Sequence, residues 1–139
     1  MLGGLVAALV VMAIIYGYVA LRPVPPIDVD FGPDKSSFTT PTPVDQTFKV
    51  VEGLPVSAKY KLGRADAARG RVILQDGIGL GSYGYFYTVD VKPADTGTVV
   101  AVGIKSKYPL QFGPIVRRQR DKARDTLVEA LKAKLAAAI

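Results

Sequence analysis

Hydrophobic and polar positions change rhythm three times along the chain, and each rhythm predicts a different element. From Leu2 to Leu21 ("LGGLVAALVVMAIIYGYVAL") no charged residue appears, and only Tyr16 and Tyr18 are partly polar. At about 1.5 Å of rise per residue such a helix spans roughly 30 Å, the thickness of a bilayer's hydrocarbon core. From Gln46 onward the pattern turns to period two, the signature of half-buried strands. In "PVSAKYKL" (55–62), Val56, Ala58, Tyr60 and Leu62 alternate with Ser57, Lys59 and Lys61, which predicts a strand. "GRADAARG" (63–70) reads as a turn, and "RVILQ" (71–75) as a short β-branched strand. Tyr83, Tyr85, Tyr87, Val89 and Val91 then share one face of a further strand, with Phe86, Thr88, Asp90 and Lys92 on the other. "KPADTGT" (92–98) carries hairpin chemistry, and the return strand 98–107 sets Val100, Val102 and Ile104 on one face. After Gly113-Pro114 the spacing becomes helical: Leu127, Val128, Leu131 and Leu135 recur every three or four residues, predicting a helix over about 114–138.

Between the apolar run and the strands, residues 22–45 hold six of the ten prolines. Proline fixes φ and removes a backbone donor, so neither a buried sheet nor a helix is expected there. Pro23-Val24-Pro25-Pro26 should be stiff and extended, a spacer between the first helix and the domain. If the spacer docks instead, Ile27, Val29, Phe31 and Phe38 are its contact residues. The expected organisation is therefore a transmembrane anchor (1–21), a Pro-rich linker (22–45) and a small α+β domain (46–139). That domain should be an antiparallel sheet of four or five strands with one long C-terminal helix across its apolar face.

Charge and cysteine content refine the setting. A cleaved signal peptide normally has a basic n-region, a shorter apolar core and a small-x-small cleavage site. Here no Lys or Arg precedes the run and Tyr18-Val19-Ala20 is a poor cleavage tripeptide, so the run reads as an uncleaved single-pass anchor in a cell membrane, held in lipid by residues 2–21. Tyr16, Tyr18 and Arg22 suit its interfacial end. Arg22 and Lys35 follow the span while no basic side chain precedes it, which by the positive-inside rule puts the domain on the cytoplasmic side. Eighteen Lys and Arg against twelve Asp and Glu give a net charge of +6. On a membrane-tethered domain that charge suits anionic headgroups or an acidic partner subunit. No recognised binding module accompanies it, which argues against nucleic acid.

Candidate chemistry is sparse. Gly79, Gly81 and Gly84 fit a G-x-G-x-x-G spacing, but in a dinucleotide fold that loop opens a helix whose free amides receive the pyrophosphate. Here "YFYTVDV" follows, a strand, so the glycines read as a hinge entering it. Histidine and cysteine are both absent, which removes the commonest acid/base, the usual nucleophile–base pairs and nearly all zinc sites. The carboxylates Asp66, Asp76, Asp90 and Asp95 are scattered singly beside turns. No catalytic, cofactor or metal residue is assigned, and the chain reads as a non-enzyme. Two groups remain as candidate binding surfaces. Tyr60, Tyr83, Tyr85 and Tyr87 form a face that packs as core or lines a ligand cavity, because buried hydroxyls need partners. The run Arg117, Arg118, Arg120, Lys122 and Arg124 opens the last helix, as solvated surface or as a contact for lipid or a partner.

The segment from "RVILQDGIGLGSYGYFYTVDVKPADTGTVVAVGIKSK" to "PIVRRQRDKARDTLVEALKAKL", about residues 71–135, resembles the second half of a START-like (polyketide cyclase/SRPBCC) domain. The resemblance implies consecutive antiparallel strands leading to a long helix that packs across a curved sheet and helps enclose an apolar cavity. The family's first strand and the two short helices after it find no room between Arg22 and Val56, so a truncated domain is expected, and no family site residue transfers. The layout is also similar to that of small single-span accessory subunits of actinobacterial cytochrome bcc–aa3 respiratory supercomplexes. This likeness implies assembly or stabilisation of a larger integral membrane complex and no redox role. With no His or Cys, and Met1 and Met12 both in the anchor, nothing here ligates haem or copper in the usual ways. The expected function is thus a non-catalytic accessory subunit, without cofactor; the alternative is a tethered START-like module for a lipid or small apolar ligand.

Overall fold

The computed structural model describes residues 2–56, 59–77, 84–108 and 113–137. Helix α1 (Leu2–Leu21) is long and apolar enough to cross a membrane, and of its side chains only Val19 is buried. Strands β1 (Ser36–Thr40), β2 (Lys61–Asp66), β3 (Arg71–Gln75), β4 (Tyr85–Ala94) and β5 (Gly97–Ser106) form one antiparallel sheet in the order β1-β5-β4-β3-β2. Helix α2 (Val44–Gly53) and a 3-10 turn (Leu54–Val56) lie between β1 and β2, and helix α3 (Pro114–Ala137) follows β5. The expected α+β class is what forms: an apolar N-terminal helix, a five-stranded antiparallel sheet and one long C-terminal helix.

Longest and best paired is the β4–β5 hairpin, with Tyr87 opposite Ile104, Val89 opposite Val102 and Val91 opposite Val100. These residues alternate onto the inner face, where they meet Val72 and Leu74 of β3. The stripe of α3, Leu127, Val128, Leu131 and Leu135, closes over them at 5% exposure or less. Each such side chain contributes about 1.5–3 kcal/mol by leaving water. Gly97 turns the hairpin with φ +143°, and a Cβ there would lie 2.2 Å from the Thr40 carbonyl oxygen, so glycine is required where β1 runs past the turn. At the head of α3, the Gly113 carbonyl accepts the Arg117 amide at 3.0 Å, placing Pro114 in the first turn as expected.

Three expectations are corrected upstream of β3. Residues 46–54 are not strand-like: they lie in α2 and the turn after it, with Thr47, Phe48, Val51 and Leu54 buried at helical spacing. The strand expected over 55–62 starts only at Lys61, runs through the expected turn to Asp66, and leaves Leu62 44% exposed. A β-bulge between Leu62 and Arg64 shifts its register, which breaks the simple alternation read from the sequence. The Pro-rich segment also contains a strand, because β1 pairs with β5 from Ser36–Val102 to Thr40–Thr98 as a sheet edge. Pro41 and Pro43 fall just after it, where no ladder donor is needed. One strand, α2 and the 3-10 turn therefore do find room between Arg22 and Val56, and the domain is less truncated than expected.

The rest of the Pro-rich segment is not a free spacer either. It lies as a strap over the outer face of the sheet. Arg71 at the start of β3 donates to the carbonyls of Ile27 and Val29, and Arg64 donates to those of Pro25, at 2.8 Å, and Val24. Ile27, Val29 and Phe31 are half-buried, and Phe38 packs against the core cluster. Beneath the strap, Ile73, Phe86 and Thr88 are all but sealed from solvent, so both faces of the central strands are covered.

Candidate functional site

The two candidate groups lie near the end of the sheet where β4 begins and β5 ends. β4 carries Tyr85 and Tyr87 into the inner face, at 3% and 0% exposure. The ring of Tyr60, entering β2, meets that of Tyr87 edge-on at 5.5 Å, and Tyr85 lies 6.2 Å from the same ring. Tyr83 and the glycines Gly79 and Gly81 lie outside the described residues. Gly84 does not: it takes φ +93°, with Asp76 so close that a Cβ would sit 2.8 Å from its carbonyl oxygen.

That close approach puts Asp76 under the tyrosines. One carboxylate oxygen accepts the Tyr85 amide at 2.7 Å; the other accepts the Tyr87 hydroxyl at 2.7 Å. The Asp76 amide returns a bond to the Tyr85 carbonyl at 3.1 Å. Burial, and then the Asp76 charge, push the Tyr87 hydroxyl far above its ordinary pKa, and the same two causes raise Tyr60 to about 12. Lys107 completes the cluster from the outer side. Only 7% exposed, it donates to the Gln75 side chain at 2.9 Å and lies 5.0 Å from the Phe86 ring centre. Burial lowers its pKa, opposed by Asp76. Asp76 was read in the sequence only as an isolated acid beside a turn. Its role follows from Gly84, nine and eleven residues being too far for any spacing rule. The arrangement holds its protons fixed: the Tyr87 proton is donated to Asp76, and both Asp76 oxygens are occupied. Among the described residues no group of three His, Cys, Asp or Glu side chains converges as metal ligands would.

The same end of the sheet meets α1. Arg22 reaches the Tyr18 hydroxyl at 2.6 Å and the Lys107 carbonyl at 2.8 Å, and the Tyr18 and Tyr108 rings meet edge-on at 6.2 Å. A groove of about 570 Å³ opens there between Gly17, Tyr18 and Leu21 of α1, the Pro23–Pro26 run and Lys105 of β5. In the basic run of α3, Arg117, Arg118 and Lys122 are exposed and Arg120 is half-buried. Arg124 is set apart from them, pairing with Asp121 at 3.6 Å and Asp125 at 3.4 Å and donating to the Asp34 carbonyl of the strap at 3.3 Å.

The five-stranded sheet gripped by a C-terminal helix is a helix-grip fold of the START-like kind. The chain is similar in structure to Ara h 8.0201, with a TM-score of 0.54 at 14% identity over 74% of this chain and 96% of that one. TTHA0849 from Thermus thermophilus aligns at a TM-score of 0.45 and 17% identity, over 75% of this chain and 97% of that one. No protein-family model matches the sequence, and no curated protein matches it either.

Proposed function

We propose that the chain is a non-catalytic, membrane-anchored accessory subunit of a larger membrane protein complex, with a respiratory-chain supercomplex as the assembly its layout suggests. The observation that carries this reading is the junction between α1 and the domain. Arg22, Tyr18 and Tyr108 join the helix to the sheet end directly, and the strap continues onto the sheet. A domain fixed in this way presents one constant surface beside its span, as a stabilising subunit needs. The remaining sides of α1 are free for lipid or for helices of other subunits, with Leu5, Leu9 and Ile14 between 59% and 65% exposed. In this reading the domain faces the cytoplasm, on the strength of Arg22 and Lys35 following the span.

Mild extraction of the full chain from its native membrane, followed by sizing and mass spectrometry, tests the proposal. Co-elution with a large integral membrane complex is expected; a monomer with no companion overturns it. The alternative, binding of a lipid or small apolar ligand, draws on the helix-grip fold. It needs room between the inner sheet face and α3, where Tyr87, Leu127 and Leu131 are each 0% exposed. Native mass spectrometry of the purified chain separates the two, since a stoichiometric ligand inside the domain favours the alternative.

A further inference from the structure

Away from the sheet end near α1, five cations are neutralised locally. Lys35 pairs with Asp30, Arg69 with Asp66, Arg71 with Asp90, Arg124 with Asp121 and Asp125, and Lys132 with Glu129. At the end of the sheet beside α1 the pattern reverses. Lys59 and Lys61 enter β2 there and Lys105 leaves β5 there; all three are exposed, and none makes an ion pair among the described residues. Asp76, the one carboxylate in this part of the sheet among the described residues, is turned inward to Tyr85 and Tyr87. Lys105 lines the groove whose other wall is Gly17, Tyr18 and Leu21, so it lies beside the last turn of α1.

The start of α3 adds to the same end. Tyr108 touches Tyr18, and Pro114 follows six residues later, within about 20 Å even if the chain between were fully extended. Arg117 and Arg118 are exposed in the first turns of α3, unpaired among the described residues, and Ile115 beside them is 69% exposed. Asp121, the nearest acid on the helix, is engaged by Arg124.

We propose that this end of the domain is a docking surface for anionic phospholipid headgroups of the leaflet from which α1 emerges, with Lys59, Lys61, Lys105, Arg117 and Arg118 as the contacting cations and Ile115 entering the interfacial layer. Long basic side chains keep their charge at headgroup depth while their stems cover apolar surface, and attraction to an anionic leaflet falls off within a Debye length. The groove at Lys105 gives one headgroup a place between the domain and the span. The inference rests on α1 spanning the bilayer, and the experiment separates the two.

The chain has no cysteine, so Ile115→Cys creates a single labelling site for an environment-sensitive fluorophore. The labelled full chain is reconstituted into vesicles of phosphatidylcholine alone, or with about a third phosphatidylglycerol. Flotation with the neutral vesicles reports insertion of α1 by itself; failure there sinks the spanning reading, not the docking surface alone. With insertion established, the docking surface predicts a blue shift and quenching by headgroup-region quenchers in anionic vesicles only. That signal should be lost near 1 M salt, where the Debye length is about 3 Å. It should also be lost in Arg117→Glu/Arg118→Glu, which still floats and whose far-UV spectrum is unchanged. A label at Thr96→Cys, in the hairpin turn at the opposite end, should not respond. Equal signals in both vesicle types, or none in either, overturn the proposal. So does a label that stays in water on anionic vesicles and becomes shielded only when native membrane proteins are added.

Discussion

Replacing Arg71 by methionine tests whether the strap is part of the fold or merely rests on it. Arg71 meets Asp90 through two charge-assisted bonds, at 2.6 and 3.1 Å, while its remaining nitrogen holds the carbonyls of Ile27 and Val29. The side chains are 16% and 11% exposed, so the pair is largely desolvated. Breaking a buried pair from one side costs about 3–5 kcal/mol, because the partner charge is left buried; the residual exposure here places Arg71→Met near 3 kcal/mol. For a chain of this size that is a fall in Tm of roughly 10 °C. Thermal melting of the full chain in mild detergent reads it, and amide exchange across 27–31 should quicken in the same variant. Arg71→Met/Asp90→Leu should regain most of the loss, since no charge is then stranded. Lys132→Met, which removes an exposed pair at 47% and 74%, should change stability by less than about 1 kcal/mol. A loss in Arg71→Met no larger than that control, with unchanged exchange in the strap, would refute the reasoning.

Three further outcomes follow from the core. The Thr88 hydroxyl, buried and without a hydrogen-bond partner among the described residues, makes Thr88→Val stabilising by about 1 kcal/mol, read by urea denaturation; a loss of stability would show that the hydroxyl has a partner after all. Leu131→Ala, at a 0% exposed position of α3, should cost about 2–5 kcal/mol in the same assay, and a smaller cost would mean that α3 does not close the core. Tyr60 is raised from 10.0 to about 12 in the folded chain, so the stability it contributes is complete below pH 10 and is lost as pH rises through 12. Tyr87 acts in the same sense. Ultraviolet titration should therefore show Tyr60 and Tyr87 ionising only together with alkaline unfolding; their smooth ionisation near pH 10 in a folded chain would contradict their burial.

Where apolar residues recur at a fixed spacing along an element, its period is readable whether or not the other face meets water. α3 shows this with Leu127, Val128, Leu131 and Leu135, and the β4–β5 hairpin shows it on the side of Val89 and Val102. Tyr85 and Tyr87 were correctly placed on one face for the same reason. The outer face was harder, because Thr88 and Asp90 look like solvent-facing residues. They are covered only by a distant segment, the strap, which no local pattern announces. The short α2 was obscured by its brevity: Thr47, Phe48 and Val51 fit a helix as well as the start of an alternating run. The tyrosine cluster was half legible. A buried hydroxyl demands a partner, but the partner, Asp76, depends on the backbone turn at Gly84 and not on spacing.

The strap also sets a distance. Fourteen residues, Arg22 to Lys35, could in extended form carry a domain about 45 Å from the end of its helix. Laid across the sheet and returned to its β1 edge, they carry it almost nowhere, and Tyr108 stays against Tyr18. With α1 in a bilayer, the domain therefore cannot sweep the surrounding volume on a long leash. Anything it meets must come to it, at the rim of its own span.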